Sequence, residues 1–172
     1  TNGMPYVAVH DLVIQKEARH LLIGTHGRSI YKADIAQLQN LTPEILKKEL
    51  YVYPLENIKH SARWGNSWSS WSKPSTPGLD ITFYSNRDEV YQAKIKSSDD
   101  ILVSETDIVS DKGINILSYD LAFSKIGKLN YLKKHKTELK TADNGKTYLP
   151  KGSYSVQLIG NGKTELVTFE IE

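Results

Sequence analysis

The chain has 172 residues, with 22 Lys+Arg against 20 Asp+Glu, 24% charged and 39% hydrophobic residues, and no cysteine. That length holds one globular domain or two small ones, and a net charge of +2 excludes strong global steering towards nucleic acid or membrane. The lack of cysteine excludes a disulfide scaffold, a thiol nucleophile and a cysteine-ligated metal, and no apolar run approaches the roughly 18–20 residues that span a bilayer.

Thr1-Asn2-Gly3-Met4-Pro5 reads as neither a signal peptide nor a natural start, so the sequence is expected to belong to something longer. Residues 6–34 read as short strands. Tyr6–Ile14 is rich in β-branched residues, His20–Thr25 is a compact apolar run, and Arg28–Ala33 alternates polar with apolar. Such a meander is too small to build its own core and is expected to pack on other sheet. Thr42-Pro43-Glu44 then gives an N-cap, a proline at the first helical position and an acid in the first turn. With Ile45, Leu46 and Leu50 it predicts a short amphipathic helix ending near Leu50, and Tyr51-Val52-Tyr53-Pro54 leaves it extended.

Ser61–Gly78 is dominated by Gly, Ser and Pro and reads as a linker without regular structure. It holds all three tryptophans, Trp64, Trp68 and Trp71, so it is expected to be a loop pinned to a surface by its indoles. From Leu79 onward the pattern is β. Leu79–Tyr84, Glu89–Lys96, Ile101–Ile108, Gly113–Leu121, Gly152–Ile159 and Thr164–Ile171 are candidate strands. Asn161-Gly162 marks a tight hairpin between the last two. Short strands at regular spacing predict an immunoglobulin-like β-sandwich. Ser124–Thr141 interrupts it with six lysines, and the spacing of Ile126, Leu129 and Leu132 predicts a short helix there.

Val9-His10-Asp11-Leu12-Val13-Ile14 followed by Leu22-Ile23-Gly24-Thr25-His26-Gly27-Arg28-Ser29-Ile30-Tyr31 resembles the last blade of a bacterial β-propeller family. That family is related to sortilin and to BNR repeats and is commonly labelled glycosyl hydrolase. Gly113–Leu121 and Leu149–Val156 resemble strands of the terminal Ig-like domain that often follows, itself similar to that of the flagellar hook-capping protein. The resemblance implies propeller-blade strands in residues 1–40, a short helix and Trp/Ser-rich linker in 41–78, and an Ig-like sandwich in 79–172. It further implies a secreted, periplasmic or cell-surface bacterial protein.

The chemistry is sparse. His10, His20, His26, His60 and His135 lack metal-site spacing, and the acids sit mostly on turns, where local hydrogen bonding explains them. No pair of acids is set up for glycoside hydrolysis. His26 with Arg28 offers an imidazole and a guanidinium to an anionic group, against the plainer reading of a turn made by Gly27. Trp64, Trp68 and Trp71 either staple the loop down or stack on sugar faces. The lysines of 124–141 read as a solvated face, with Tyr131 as their only interleaved aromatic.

These readings combine in a non-catalytic C-terminal accessory module of a larger secreted β-propeller protein, packing on that propeller and offering a binding surface. Neither cofactor nor metal is expected. The expected partners are the rest of the propeller and carbohydrate, with no nucleic acid and no membrane span. A carbohydrate-binding module and a glycoside hydrolase segment stand as alternatives. A secretion sorting tail is a further one, since Leu149–Tyr154 resembles a strand of type IX secretion tails.

Overall fold

The computed structural model describes residues 4–69 and 71–172; Thr1-Asn2-Gly3, read above as the start of a fragment, and Ser70 of the linker lie outside them. The chain divides into two compact units, one ending at Leu46 and the other beginning at Lys47.

In the first unit the apolar runs become an antiparallel meander of β1 (Val9–Gln15), β2 (His20–Thr25) and β3 (Ile30–Asp34), in that order. Its second turn is closed by Gly27 at φ 71° and by the Thr25 hydroxyl, which donates to the Ser29 carbonyl. The register places Leu12, Ile23 and Tyr31 side by side, and Ile14, Leu21 and Ala33 beside them. These six side chains form an apolar patch on one face of the sheet, bordered on β2 by Thr25. It is not covered, for Leu12 and Ile14 remain 58% and 53% exposed. Two single-turn helices follow, α1 (Ala36–Gln39) and α2 (Pro43–Leu46). Thr42 caps α2 as expected, its hydroxyl accepting from the Ile45 N–H. The helix does not run on to Leu50. One turn of helix is marginal in water, whereas Leu50 and Val52 bury fully by pairing with a strand of the sandwich.

The second unit is mainly β. Its strands are β4 (Leu50–Val52), β5 (Leu79–Ser85), β6 (Glu89–Ser97), β7 (Leu102–Ser110), β8 (Gly113–Tyr119), β9 (Gly152–Gly160) and β10 (Lys163–Ile171). They form two antiparallel sheets, β4-β5-β8 and β10-β9-β6-β7, the layers of a β-sandwich. Alternation decides which side chains face inward: Tyr91, Ala93 and Ile95 from β6, Val156 and Leu158 from β9, Ile81 and Phe83 from β5. Phe83 meets Tyr91 edge-on across the two sheets, with ring centroids 5.8 Å apart. Near the start of β9 the Tyr154 hydroxyl donates to the Pro150 carbonyl at 2.8 Å, the tyrosine-corner contact of such sandwiches. Asn161 and Gly162 both take positive φ, making the two-residue hairpin their sequence predicts. β4, which joins Leu50 to the start of the segment read as extended, belongs to the three-stranded sheet. Beyond it Ile58 and His60 pair with the end of β10 (Ile58 N–H to Glu170 O, 2.8 Å; His60 N–H to Glu172 O, 2.9 Å).

Candidate functional site

Leu79 pairs with Tyr119, Ser97 with Tyr154 and Gly152 with Ile171, so the two long connections, 53–78 and 120–151, emerge at one end of the sandwich. All three tryptophans and the lysine-rich insertion therefore share that end.

The first connection is fastened by an indole and an amide. Trp64 is 8% exposed, its ring edge-on to Tyr148 at 6.0 Å and 4.9 Å from the His60 ring. Gly65 follows at φ 72°, where a Cβ would strike the Tyr148 ring and Ala142, so only glycine passes here. Asn66 accepts from the Asp143 N–H at 3.1 Å, and Asp143 accepts from the Ser67 N–H at 3.1 Å, a reciprocal clasp between the two connections. Beyond the clasp the Ser72 hydroxyl accepts from the N–H groups of Trp68 and Ser69, closing a turn.

That turn holds Trp68 and Trp71 out in solvent at 85% and 96% exposure. The expectation that all three indoles pin the loop is corrected: Trp64 is the staple, while Trp68 and Trp71 bury almost nothing. Backbone and side-chain hydrogen bonds do the fastening that composition alone assigned to the indoles.

The second connection carries α3 (Lys125–His135), capped by the Ser124 hydroxyl, which accepts from the Gly127 N–H at 2.9 Å. The helix lies against β7 through Gly127, where a Cβ would sit on the Val103 carbonyl. Tyr131, one turn on, packs on Phe123 at 5.1 Å and stacks on His135 at 4.1 Å. The helix predicted here is present, but its apolar stripe is not the inward face. Ile126 and Leu129 point to solvent, because close packing on Gly127 lets the backbone itself meet the sheet.

Three of the lysines are tied down. Lys128 donates to Thr147 and Thr141, Lys134 to the Asp99 carbonyl, and Lys146 to Asp120 at 2.6 Å. That last bond raises the Lys146 pKa above the ordinary lysine range.

Between the connections lies an open cleft of about 450 Å3, walled by His60, Trp64 and Tyr148 and edged by Asn66, Glu138 and Lys140. Sequence reading missed it because its parts lie some eighty residues apart; the only local signal was Trp64. Glu138 is the one acid among the described residues lining it, whereas glycoside hydrolysis uses two facing carboxylates. Such a cleft can hold a ligand by stacking and hydrogen bonds.

His26 and Arg28 belong to the first unit, on the turn between β2 and β3. Both are exposed, and the His26 ring lies 5.0 Å from that of His10, a neighbour the sequence did not single out. Among the described residues no three His, Asp or Glu side chains gather as a metal-ligand set, and no helix is long and apolar enough to cross a membrane. The chain matches no known protein-family model and no curated protein.

Proposed function

We propose that this chain is a non-catalytic accessory module of a larger secreted protein. Its three-stranded sheet packs on further sheet, as the closing strands of a β-propeller blade do, and its sandwich carries a carbohydrate-binding surface at the loop end. The observation that carries the first half is the apolar face of the meander. Leu12, Ile14, Leu21, Ile23, Tyr31 and Ala33 share it, with Thr25 at its margin, yet its two β1 members stay more than half exposed. A face of that kind is a contact surface waiting for its partner. The exposed Trp68 and Trp71 support the second half, since indole faces stack on the C–H faces of pyranose rings.

Intact mass of the protein purified from its native host tests the first half. A mass well above that of 172 residues is expected; a mass matching them overturns it. Leu12→Glu with Ile14→Glu sharpens the test. Its expected result is lowered stability of the full-length protein, because two carboxylates enter a buried interface, with no effect on the 172-residue chain alone. An unchanged full-length protein contradicts the packing.

A further inference from the structure

We infer that the loop end of the sandwich is a site for an acidic glycan, a polysaccharide bearing carboxylate or sulfate groups; this rests on the carbohydrate reading above and names its ligand class. The charge of the molecule is unevenly placed. Residues 53–78 and 120–151 hold eleven Lys and Arg against four Asp and Glu, a surplus of +7 in a chain whose net charge is +2, so the remainder stands at −5. Most of these cations, among them Lys59, Arg63, Lys73, Lys133, Lys136 and Lys140, are exposed and enter no ion pair among the described residues. They belong to the same two connections that hold Trp68 and Trp71 in solvent and wall the cleft with Trp64, Tyr148 and His60, and Lys140 lines that cleft.

Each part answers a part of such a ligand. The two solvent-held indoles meet pyranose faces, and they sit on a turn clasped at its base by Asn66 and Asp143, so little ordering entropy is lost on binding. The cleft at the root of the turn adds an aromatic wall with Asn66 and Lys140 as polar contacts. Free lysines supply attraction to carboxylate or sulfate, and the negative remainder confines a polyanion to this end.

Nucleic acid suits the site less well. Ten of its eleven basic residues are lysine and only Arg63 is arginine, the cation whose planar face stacks on bases. A bilayer surface asks for a continuous apolar face beside the cations, and here Ile126 and Leu129 on α3 are the exposed aliphatics of the helix.

Affinity electrophoresis of the 172-residue chain tests this, with dextran, dextran sulfate and polygalacturonate in the gel and separate titrations of poly(dT) and phosphatidylglycerol vesicles. Retention by dextran sulfate or polygalacturonate, weakened by salt and absent with dextran, is the expected result. Trp68→Ala with Trp71→Ala, a change at exposed positions that leaves folding intact, is expected to weaken retention about tenfold. Lys136→Glu with Lys140→Glu should do the same. Equal retention by dextran and its sulfate overturns the acidic-glycan assignment while keeping the carbohydrate reading. Retention by no glycan, or tighter binding of poly(dT) or vesicles, overturns both.

Discussion

The two units of this molecule use the same patterning and reach opposite outcomes. In β6 the alternating Tyr91, Ala93 and Ile95 are buried, and the facing sheet supplies Ile81 and Phe83 to meet them. In β1 the alternating Leu12 and Ile14 share an apolar face with four neighbours on β2 and β3 and remain more than half exposed. Apolar alternation specifies which face of a strand seeks cover; a core forms only where a second layer arrives to provide it. The sandwich owns both of its layers. The meander owns one.

Mutation should expose that difference. Phe83→Ala, at the centre of the sandwich, is expected to cost about 3–5 kcal/mol, read from urea midpoints of the 172-residue chain. Leu12→Ala in the meander should cost less than about 1 kcal/mol there, because little of its side chain leaves water. Comparable losses at the two positions would break the comparison.

The helix on the sandwich edge gives a second contrast, smaller in size. Gly127→Ala should destabilise by about 1–3 kcal/mol, since the added methyl group meets the Val103 carbonyl and α3 must lift. Ile126→Ala, one residue away on the outward side, should stay within about 0.5 kcal/mol. Thermal melts of the two variants check this, and equal shifts would mean that the helix packs by its apolar stripe after all.

The tyrosine corner makes a finer test. Tyr154→Phe should cost about 1 kcal/mol through loss of the bond to the Pro150 carbonyl. Burial raises the pKa values of both Tyr154 and Tyr119 above the ordinary tyrosine range. In the unfolded chain these phenols ionise near pH 10, so the folded state keeps its protons after the unfolded state has lost them. Their contribution is therefore complete below about pH 10 and falls as the pH rises above it. Urea midpoints measured from pH 8 to 12 should decline steeply, and Tyr119→Phe with Tyr154→Phe should flatten the decline. The first unit offers no such buried phenol: Tyr6 is fully exposed and Tyr31 is not buried.

Much of this was legible in the residues. The strands from β5 to β10 follow from period-two alternation and turn chemistry, because both sheets are covered on one side and each register has a single acceptable choice. Asn161-Gly162 announced its hairpin, and the spacing of Ile126, Leu129 and Leu132 announced a helix. The misses share a cause. Leu50 left the predicted helix because its strand partner, β5, begins nearly thirty residues later in the sequence. The inward face of α3 was misread because a glycine, which carries no hydrophobic signal, makes the closest contact. Trp68 and Trp71 were expected to be pins because the clasp that replaces them, Asn66 with Asp143, joins residues 77 apart. For the same reason composition could show three tryptophans but not the cleft behind one of them.

Hydrogen exchange resolved by segment, on the 172-residue chain at neutral pH, tests the central claim most directly. The account predicts that amides of β5, β6 and β9 exchange only through global unfolding of the sandwich, while those of β1–β3 exchange orders of magnitude faster through local opening. Protection of β1–β3 equal to that of β6 would contradict it, for the meander would then be a finished structure needing no further sheet.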